Sequence, residues 1–207
     1  SELDFDESWS SPLFAPMTVK PKDWTSFDTG CYIDEALSQQ VKLVKGYVPN
    51  AHIKAIEHGF DKGSIQPSID ALNAVQRTPM KLNETIVEAV EWCWLNDKSM
   101  GKFPTRAYIE KPEKVDDFDS LTDEQKKGIR LKNKNIVVKN RQIDGQRSVM
   151  VQDLKVAKEL MEYDQFYLPH NFCHRGRIYP IPHFSHHRDE HIKAMFEFAN
   201  EKKVDEQ

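Results

Sequence analysis

Cysteine is scarce in these 207 residues, and Cys31, Cys93 and Cys173 stand far apart. They form neither a disulfide framework nor a Cys-x-x-Cys metal pair, which points to a reducing compartment. Long apolar runs are missing too. No stretch approaches the length of a membrane span and no secretory leader is found, so the expectation is a soluble, intracellular chain with no membrane partner. Strong net charge is also lacking: the formal value is −4. Taken as a sum, that argues against a nucleic-acid binder, but the distribution of charge matters more than its total. What is present is a globular composition, 10% aromatic and 30% charged, on a chain long enough for one large or two small domains.

The distribution is uneven. Between Gln125 and Arg147 there are eight Lys and Arg residues and a single acid, Asp144, a local net charge of +7, so the rest of the chain is strongly acidic. A charge run of this kind is commonly a solvated helix face. Here Lys127, Arg130 and Lys134 recur at three- and four-residue spacing, which places them on one side of a helix, as a stripe that tracks a polyanion requires. An apolar stripe of Val149, Leu154, Ala157, Leu160 and Met161 follows at helical spacing.

Upstream, Ser1 to Ser11 is acidic and reads as a loose lead-in. Pro12, Pro16 and Pro21 favour an extended segment anchored by Trp24 and Tyr32. Val41 to Lys45 alternates as a short strand would. Helical spacing runs from Ser64 through Ile65, Ile69, Leu72 and Val75 to Pro79, then resumes at Leu82, Ile86, Ala89, Val90 and Cys93 until Asn96-Asp97. Both stripes read as core packing. Lys98 to Asp119 is a connecting loop carrying Gly101, Pro104 and Pro112. Either Ser120 with Asp123 or Thr122 with Gln125 can cap the helix that follows. Ile192, Met195, Phe196 and Ala199 have the spacing of a last amphipathic helix.

The chemistry concentrates in Phe166-Tyr-Leu-Pro-His-Asn-Phe-Cys-His-Arg-Gly-Arg-Ile-Tyr-Pro180. Arg175 and Arg177 flank Gly176, whose missing Cβ lets the main chain approach a bulky ligand. An arginine fork can grip a phosphate, and Tyr179 offers a ring to stack and a hydroxyl for a sugar. The same tripeptide also fits a solvated turn between two strands.

The pattern Pro-x-Asn-x-x-x-Arg-Gly-Arg-x-Tyr resembles the Asp/Thr-x-x-Gly-Arg motif region of the single-subunit DNA-dependent RNA polymerases of bacteriophages and mitochondria. Three further blocks follow the family in order. Pro21-Lys-Asp-Trp-Thr25 with Gly30-Cys-Tyr32 is similar to the segment closing its N-terminal domain. Ala71-Leu-Asn-Ala-Val-Gln76 with Lys81-Leu-Asn83 is similar to the helix entering its thumb, with Met80 in place of a common tryptophan. Pro182-His-Phe-Ser-His186 is similar to its mitochondrial branch. The resemblance covers about Pro12 to Lys203. One position departs: Cys173 stands where the family has Asp or Thr, and a thiol is a poor acceptor beside a carboxylate.

The resemblance implies a mainly α fold with a few short β-strands, long antiparallel thumb helices and a small mixed α/β base. It divides the chain into residues 1–63 as the end of an N-terminal domain, 64–165 as a thumb-like helical region, and 166–207 as the motif loop with the first palm helix. By the same carry-over, Arg177 is the hybrid-contacting arginine, Arg175 its basic neighbour and Tyr179 the tyrosine that follows. Lys139, Arg141 and Arg147, with Lys132 and Lys134, hold the nucleic-acid backbone from the second thumb helix. The implied partners are DNA template, RNA–DNA hybrid and the remaining palm and fingers of the polymerase. The implied parent activity is nucleotidyl transfer with Mg²⁺ held by palm aspartates. Motifs for those aspartates and for nucleotide selection are absent from these residues, so no catalytic or cofactor-binding residue is assigned and no Mg²⁺ is expected on this segment. The implied setting is a phage-infected cytoplasm, with mitochondria as the second choice. A stand-alone helical nucleic-acid-binding or regulatory protein is the alternative.

His183, His186, His187 and His191 crowd together, and the last two are one helical turn apart, a zinc-site spacing. Arg188 sits where His-Glu-x-x-His has its glutamate, and no cysteine pair adds ligands. No metal ligand is assigned; phosphate contact and ordinary surface placement stay open for the four.

Overall fold

The computed structural model describes residues 14–98, 103–109, 115 and 117–200. The acidic opening at Ser1 to Ser11 lies outside them, as do Gly101 and Pro112 of the connecting loop. The chain folds into two compact units. Residues 1–84 join 157–207 in the first, and 85–156 make the second.

In the first unit, helices α1 (Glu35–Gln40), α2 (Asn50–Lys62) and α3 (Gln66–Gln76) precede strand β1 (Met80–Leu82). Strands β2 (His170–Phe172) and β3 (Ile178–Pro180) form an antiparallel hairpin. A short helix, α6 (Glu190–Lys193), leads to β4 (Phe196–Phe198), which pairs antiparallel with β1. Isolated antiparallel bridges add to this pairing: Met17 pairs with Tyr167, Met80 with Phe166, and Lys22 with Cys31. Met80 is thus paired on both sides, to Phe166 and to Phe198.

The core of this unit centres on Trp24, which is 1% exposed. Its backbone is held by one side chain. The Trp24 N–H donates to Asn73 Oδ1 at 2.8 Å and Asn73 Nδ2 donates to the Trp24 carbonyl at 3.3 Å, so the amide acts as a one-residue strand. The indole Nε1 donates to the His170 carbonyl at 2.9 Å. Gln76, fully buried, donates to the Lys22 carbonyl and to Asn73 Oδ1. A Cβ on Gly30 would lie 2.6 Å from the Trp24 ring and 2.7 Å from its Cα, so only glycine admits this packing. The Pro-x-x-Trp-Thr and Gly-x-Tyr blocks, the Asn73 helix and the Leu168-Pro-His stretch are therefore one polar and aromatic assembly.

The second unit holds most of α4 (Glu84–Leu95), a 3₁₀ turn at Phe118–Ser120 and most of α5 (Asp123–Leu160), a 38-residue helix. At a rise of 1.5 Å per residue α5 is about 57 Å long. Of the two capping options, Thr122 with Gln125 is realised: the Thr122 N–H donates to Gln125 Oε1 and the Gln125 N–H to Thr122 Oγ1, a reciprocal capping box. A strap of residues 106–109 lies along α5. Asn140 repeats the Asn73 device, accepting from the Ile109 N–H at 2.9 Å and donating to the Ile109 carbonyl at 2.6 Å. Tyr108 donates its hydroxyl to Asp144, and the Arg147 guanidinium stacks 4.9 Å over the Tyr108 ring. At the other end of the strap, the Arg106 N–H donates to Asp97 Oδ1 and its guanidinium lies over Trp94.

Mainly helical architecture with a few short antiparallel strands is what the sequence predicts. Three local expectations differ. The spacing of Ile192, Met195, Phe196 and Ala199 predicts a final helix, yet helix ends at Lys193 and Phe196-Glu-Phe198 is strand β4. Ile192 and Met195 are fully buried from a single helical turn, while the alternating Phe-Glu-Phe finds an open edge on β1. The helix expected to resume at Leu82 starts at Glu84, because Met80–Leu82 is that edge. Val41 to Lys45 is extended but makes no named strand: Leu43 bonds to Phe27 on one side and Phe172 on the other. Among the described residues no helix is long and apolar enough to cross a membrane.

Replacing Asn73 with Ala leaves a buried N–H and C=O of Trp24 without partners, a loss of roughly 2–6 kcal/mol at about 1–3 kcal/mol for each such group. The expected result is a lowered urea midpoint in circular dichroism, together with faster hydrogen exchange at the Trp24 amide. An unchanged midpoint would refute the central role of this clasp.

Candidate nucleic-acid interface

The turn between β2 and β3 is built from Cys173-His-Arg-Gly-Arg177. The Cys173 N–H donates to the Arg177 carbonyl at 2.8 Å, and the Gly176 N–H donates to the Cys173 carbonyl at 2.9 Å. This is a three-residue hairpin connection in which Gly176 takes the left-handed position, at φ 73°. A Cβ on Gly176 would meet nothing within 4 Å. Backbone conformation, and not close approach by a neighbouring group, is what this structure asks of the glycine.

Arg175 and Arg177 are exposed, and no described carboxylate pairs with either. Arg177 and Tyr179 are two residues apart on an extended strand and so share a face, with Ile178 turned to the core on the other. Tyr179 is half-buried, with His187 edge-on at 5.7 Å between ring centres. His187 in turn contacts His186 at 4.6 Å, and His186 lies 6.2 Å from His170. Burial is the main cause that lowers His183, His186, His187 and His191 from the usual imidazole range. Among the described residues no group of three or more His, Cys, Asp or Glu is arranged to hold a metal ion.

Cys173 occupies the first position of the turn, where Asp, Asn or Ser ordinarily accepts from the chain two residues on. Its sulfur does the same job, accepting from the Arg175 N–H at 3.4 Å. Desolvation, the largest single influence, pushes this thiol up. The backbone N–H groups of Arg175 and Arg177, with the Arg175 side chain, outweigh it and hold Cys173 below the usual thiol range.

The remaining expected contacts lie on α5, in the other unit. Lys132, Lys134, Lys139 and Arg141 are exposed and have no carboxylate partner among the described residues. Lys127, Arg130 and Lys134 share one side of the helix, as their spacing predicts, and Arg141 falls on the same side. Lys139 does not: two residues from Arg141, it is turned about 160° away at 100° per residue. Arg147 differs again. Its side chain is 18% exposed, stacked on Tyr108 and 3.9 Å from Asp144. Arg130 is also engaged, 5.5 Å over the Phe118 ring. Sequence spacing could not foresee these engagements, because Tyr108 comes from the strap and Phe118 from the 3₁₀ turn, both before the helix.

No family model matches the chain. It is similar over 91% of its length to the mitochondrial DNA-directed RNA polymerase 1 of Arabidopsis thaliana, at 26% identity, and covers 19% of that protein. The Arabidopsis chloroplastic/mitochondrial DNA-directed RNA polymerase 2 is 28% identical over 90% of the chain, and the chloroplastic polymerase 3B of Nicotiana tabacum 27% identical over 90%. The chain resembles a segment of a single-subunit DNA-directed RNA polymerase. It spans less than a fifth of the length of these curated polymerases. Similarity to the polymerases runs through both compact units, so the Trp24 assembly, the long helix and the Arg-Gly-Arg turn all fall within it.

Two chemical consequences are measurable. Cys173 should be alkylated at lower pH than Cys31, which burial pushes up to about 12; Arg175→Gln should shift the Cys173 midpoint to higher pH, and an unmoved midpoint would exclude the arginine's influence. His170 is the second case. Burial foremost, with His186 and His187, lowers it from 6.5 to about 4 against the opposing bond to the Leu168 carbonyl. The unfolded chain therefore binds this proton first, so the contribution of neutral His170 is full above pH 6.5 and is lost as pH falls toward 4. A His170→Gln variant should show a shallower fall in stability across that window than the unsubstituted chain.

Proposed function

We propose that this chain is the part of a single-subunit DNA-directed RNA polymerase that holds template and RNA–DNA hybrid. Its parent copies DNA into RNA. The observation that carries the reading is a set of exposed cations that have no carboxylate partner among the described residues, in a chain that is acidic overall: Arg175 and Arg177 at the hairpin turn, and Lys127, Lys132, Lys134, Lys139 and Arg141 on α5. The similarity to organellar polymerases gives the cations a polyanion to meet.

In this role Arg175 and Arg177 grip phosphate, Tyr179 supports the sugar or stacks beside it, and the α5 cations follow the backbone without reading sequence. Arg147 acts differently from its neighbours: it holds the strap to α5, and it reaches phosphate only if it leaves Tyr108. The segment supplies grip and not chemistry. Nucleotidyl transfer and its Mg²⁺ belong to palm aspartates, with palm and fingers as the partners of this segment. Of the two expected compartments, the relatives' organellar names support the mitochondrial one.

Anisotropy of a labelled RNA–DNA hybrid, titrated with the chain at several salt concentrations, tests the reading. Arg175→Ala/Arg177→Ala should weaken binding and reduce the slope of log affinity against log salt by about 0.7–0.9 for each phosphate that is no longer neutralised. Hybrid affinity and slope that ignore both arginines would remove the turn from the interface.

A further inference from the structure

Seven-residue spacing orders the solvent face of α5. Lys127, Lys134 and Arg141 recur at this interval, as do Lys132 and Lys139, Leu131 and Val138, and Asn135 and Gln142, and all nine are exposed. In an α-helix seven residues return a side chain to within about 20° of its starting direction, about 10.5 Å along the axis. The nine residues therefore form lines nearly parallel to the helix. At about 100° per residue, the row of Lys127, Lys134 and Arg141 lies about 140–160° around the helix from the row of Lys132 and Lys139. Between them runs a strip of Leu131, Asn135, Val138 and Gln142. The opposite side is occupied: Ile143 is buried, and Asn140, Asp144 and Arg147 carry the strap.

We infer that α5 seats lengthwise in a groove of the RNA–DNA hybrid, with one row of cations on the phosphates of each strand and the Asn135–Gln142 strip toward the groove floor. This rests on the hybrid-holding function proposed above and adds to it which strand each cation serves. A single strand has one phosphate backbone and can satisfy only one row. A hybrid has two, and A-form geometry gives it a wide, shallow groove displaying 2′-hydroxyls, for which the amides of Asn135 and Gln142 are suitable partners. A second copy of this helix would bring like-charged rows together. A protein helix packed on the strip would bury those two amides in an apolar seam, which costs free energy unless each finds a partner.

The experiment uses the whole 207-residue chain with two sets of exposed substitutions, Lys127→Gln/Lys134→Gln/Arg141→Gln and Lys132→Gln/Lys139→Gln, each checked for unchanged circular dichroism. Affinity is measured against salt for an RNA–DNA hybrid and for its isolated RNA strand. On the hybrid both variants should lose slope, by about 0.9 per cation at most, hence about 2.7 and 1.8. On the single strand only one of the two should. If either row can be neutralised without effect on the hybrid, or if both count equally on the single strand, the two-strand seating is wrong although the chain still binds. If the unsubstituted chain shows no salt-dependent binding at all, the functional proposal falls and takes this one with it. Capture of an acidic helical peptide through Leu131 and Val138, with hybrid affinity indifferent to both rows, would assign the strip to a protein and overturn the seating.

Discussion

A single carboxamide grips the main chain of Trp24, and the first unit is assembled around that grip. Four stretches distant in sequence meet there: the extended arm at Pro21–Thr25, Gly30 under the indole, the α3 residues Asn73 and Gln76, and His170 on β2. Backbone groups on an irregular arm cannot be buried unless something pairs with them. Asn73 supplies a donor and an acceptor at the spacing of a peptide, so the arm can pass through the core without a neighbouring strand. The Arg-Gly-Arg turn depends on this at one remove, because the hairpin that presents it begins at His170, whose carbonyl receives the indole N–H.

Much of this was legible in the residues. Trp24 and Tyr32 read as anchors of an extended arm and are buried; that Asn73 and Gln76 hold the main chain of that arm was not legible, because their partners lie about fifty residues away. The long helix was legible from its charge spacing and its capping residues, since both depend on intervals of three and four that any helix must keep. The end of the chain was not. Ile192, Met195 and Phe196 satisfy a helical period and a turn-plus-strand equally well, and only the free edge of β1, more than a hundred residues away, decides between them. Pairing partners of this kind leave no trace in local periodicity.

The candidate interface shows the same division. Arg175, Arg177 and Tyr179 could be placed on a turn because glycine between two extended, proline-bracketed runs admits few alternatives. The cations of α5 could be counted but not sorted. Whether a cation is available to a ligand depends on what else touches it, and the groups that engage Arg130 and Arg147 are aromatic rings outside the helix, Phe118 on the 3₁₀ turn and Tyr108 on the strap. Arg147, in particular, carries the same charge as Arg141 six residues earlier and has a different physical occupation.

That sorting also resolves how a chain with net charge −4 can hold a polyanion. Screening limits the reach of an exposed charge to roughly 8–10 Å at physiological ionic strength. On a helix about 57 Å long, a phosphate therefore responds to the few side chains within one or two turns and not to the sum over the chain. Within the middle of α5 the acid is Asp144, and it is committed to the Tyr108 hydroxyl. That carboxylate sits with Arg147 and the strap, three residues and about 60° from Arg141 but about 15 and 25 Å along the axis from Lys134 and Lys127, beyond its screened reach. The strap thus has an electrostatic consequence as well as a packing one: it separates the charges of one helix into a side that is satisfied within the protein and a side that is not.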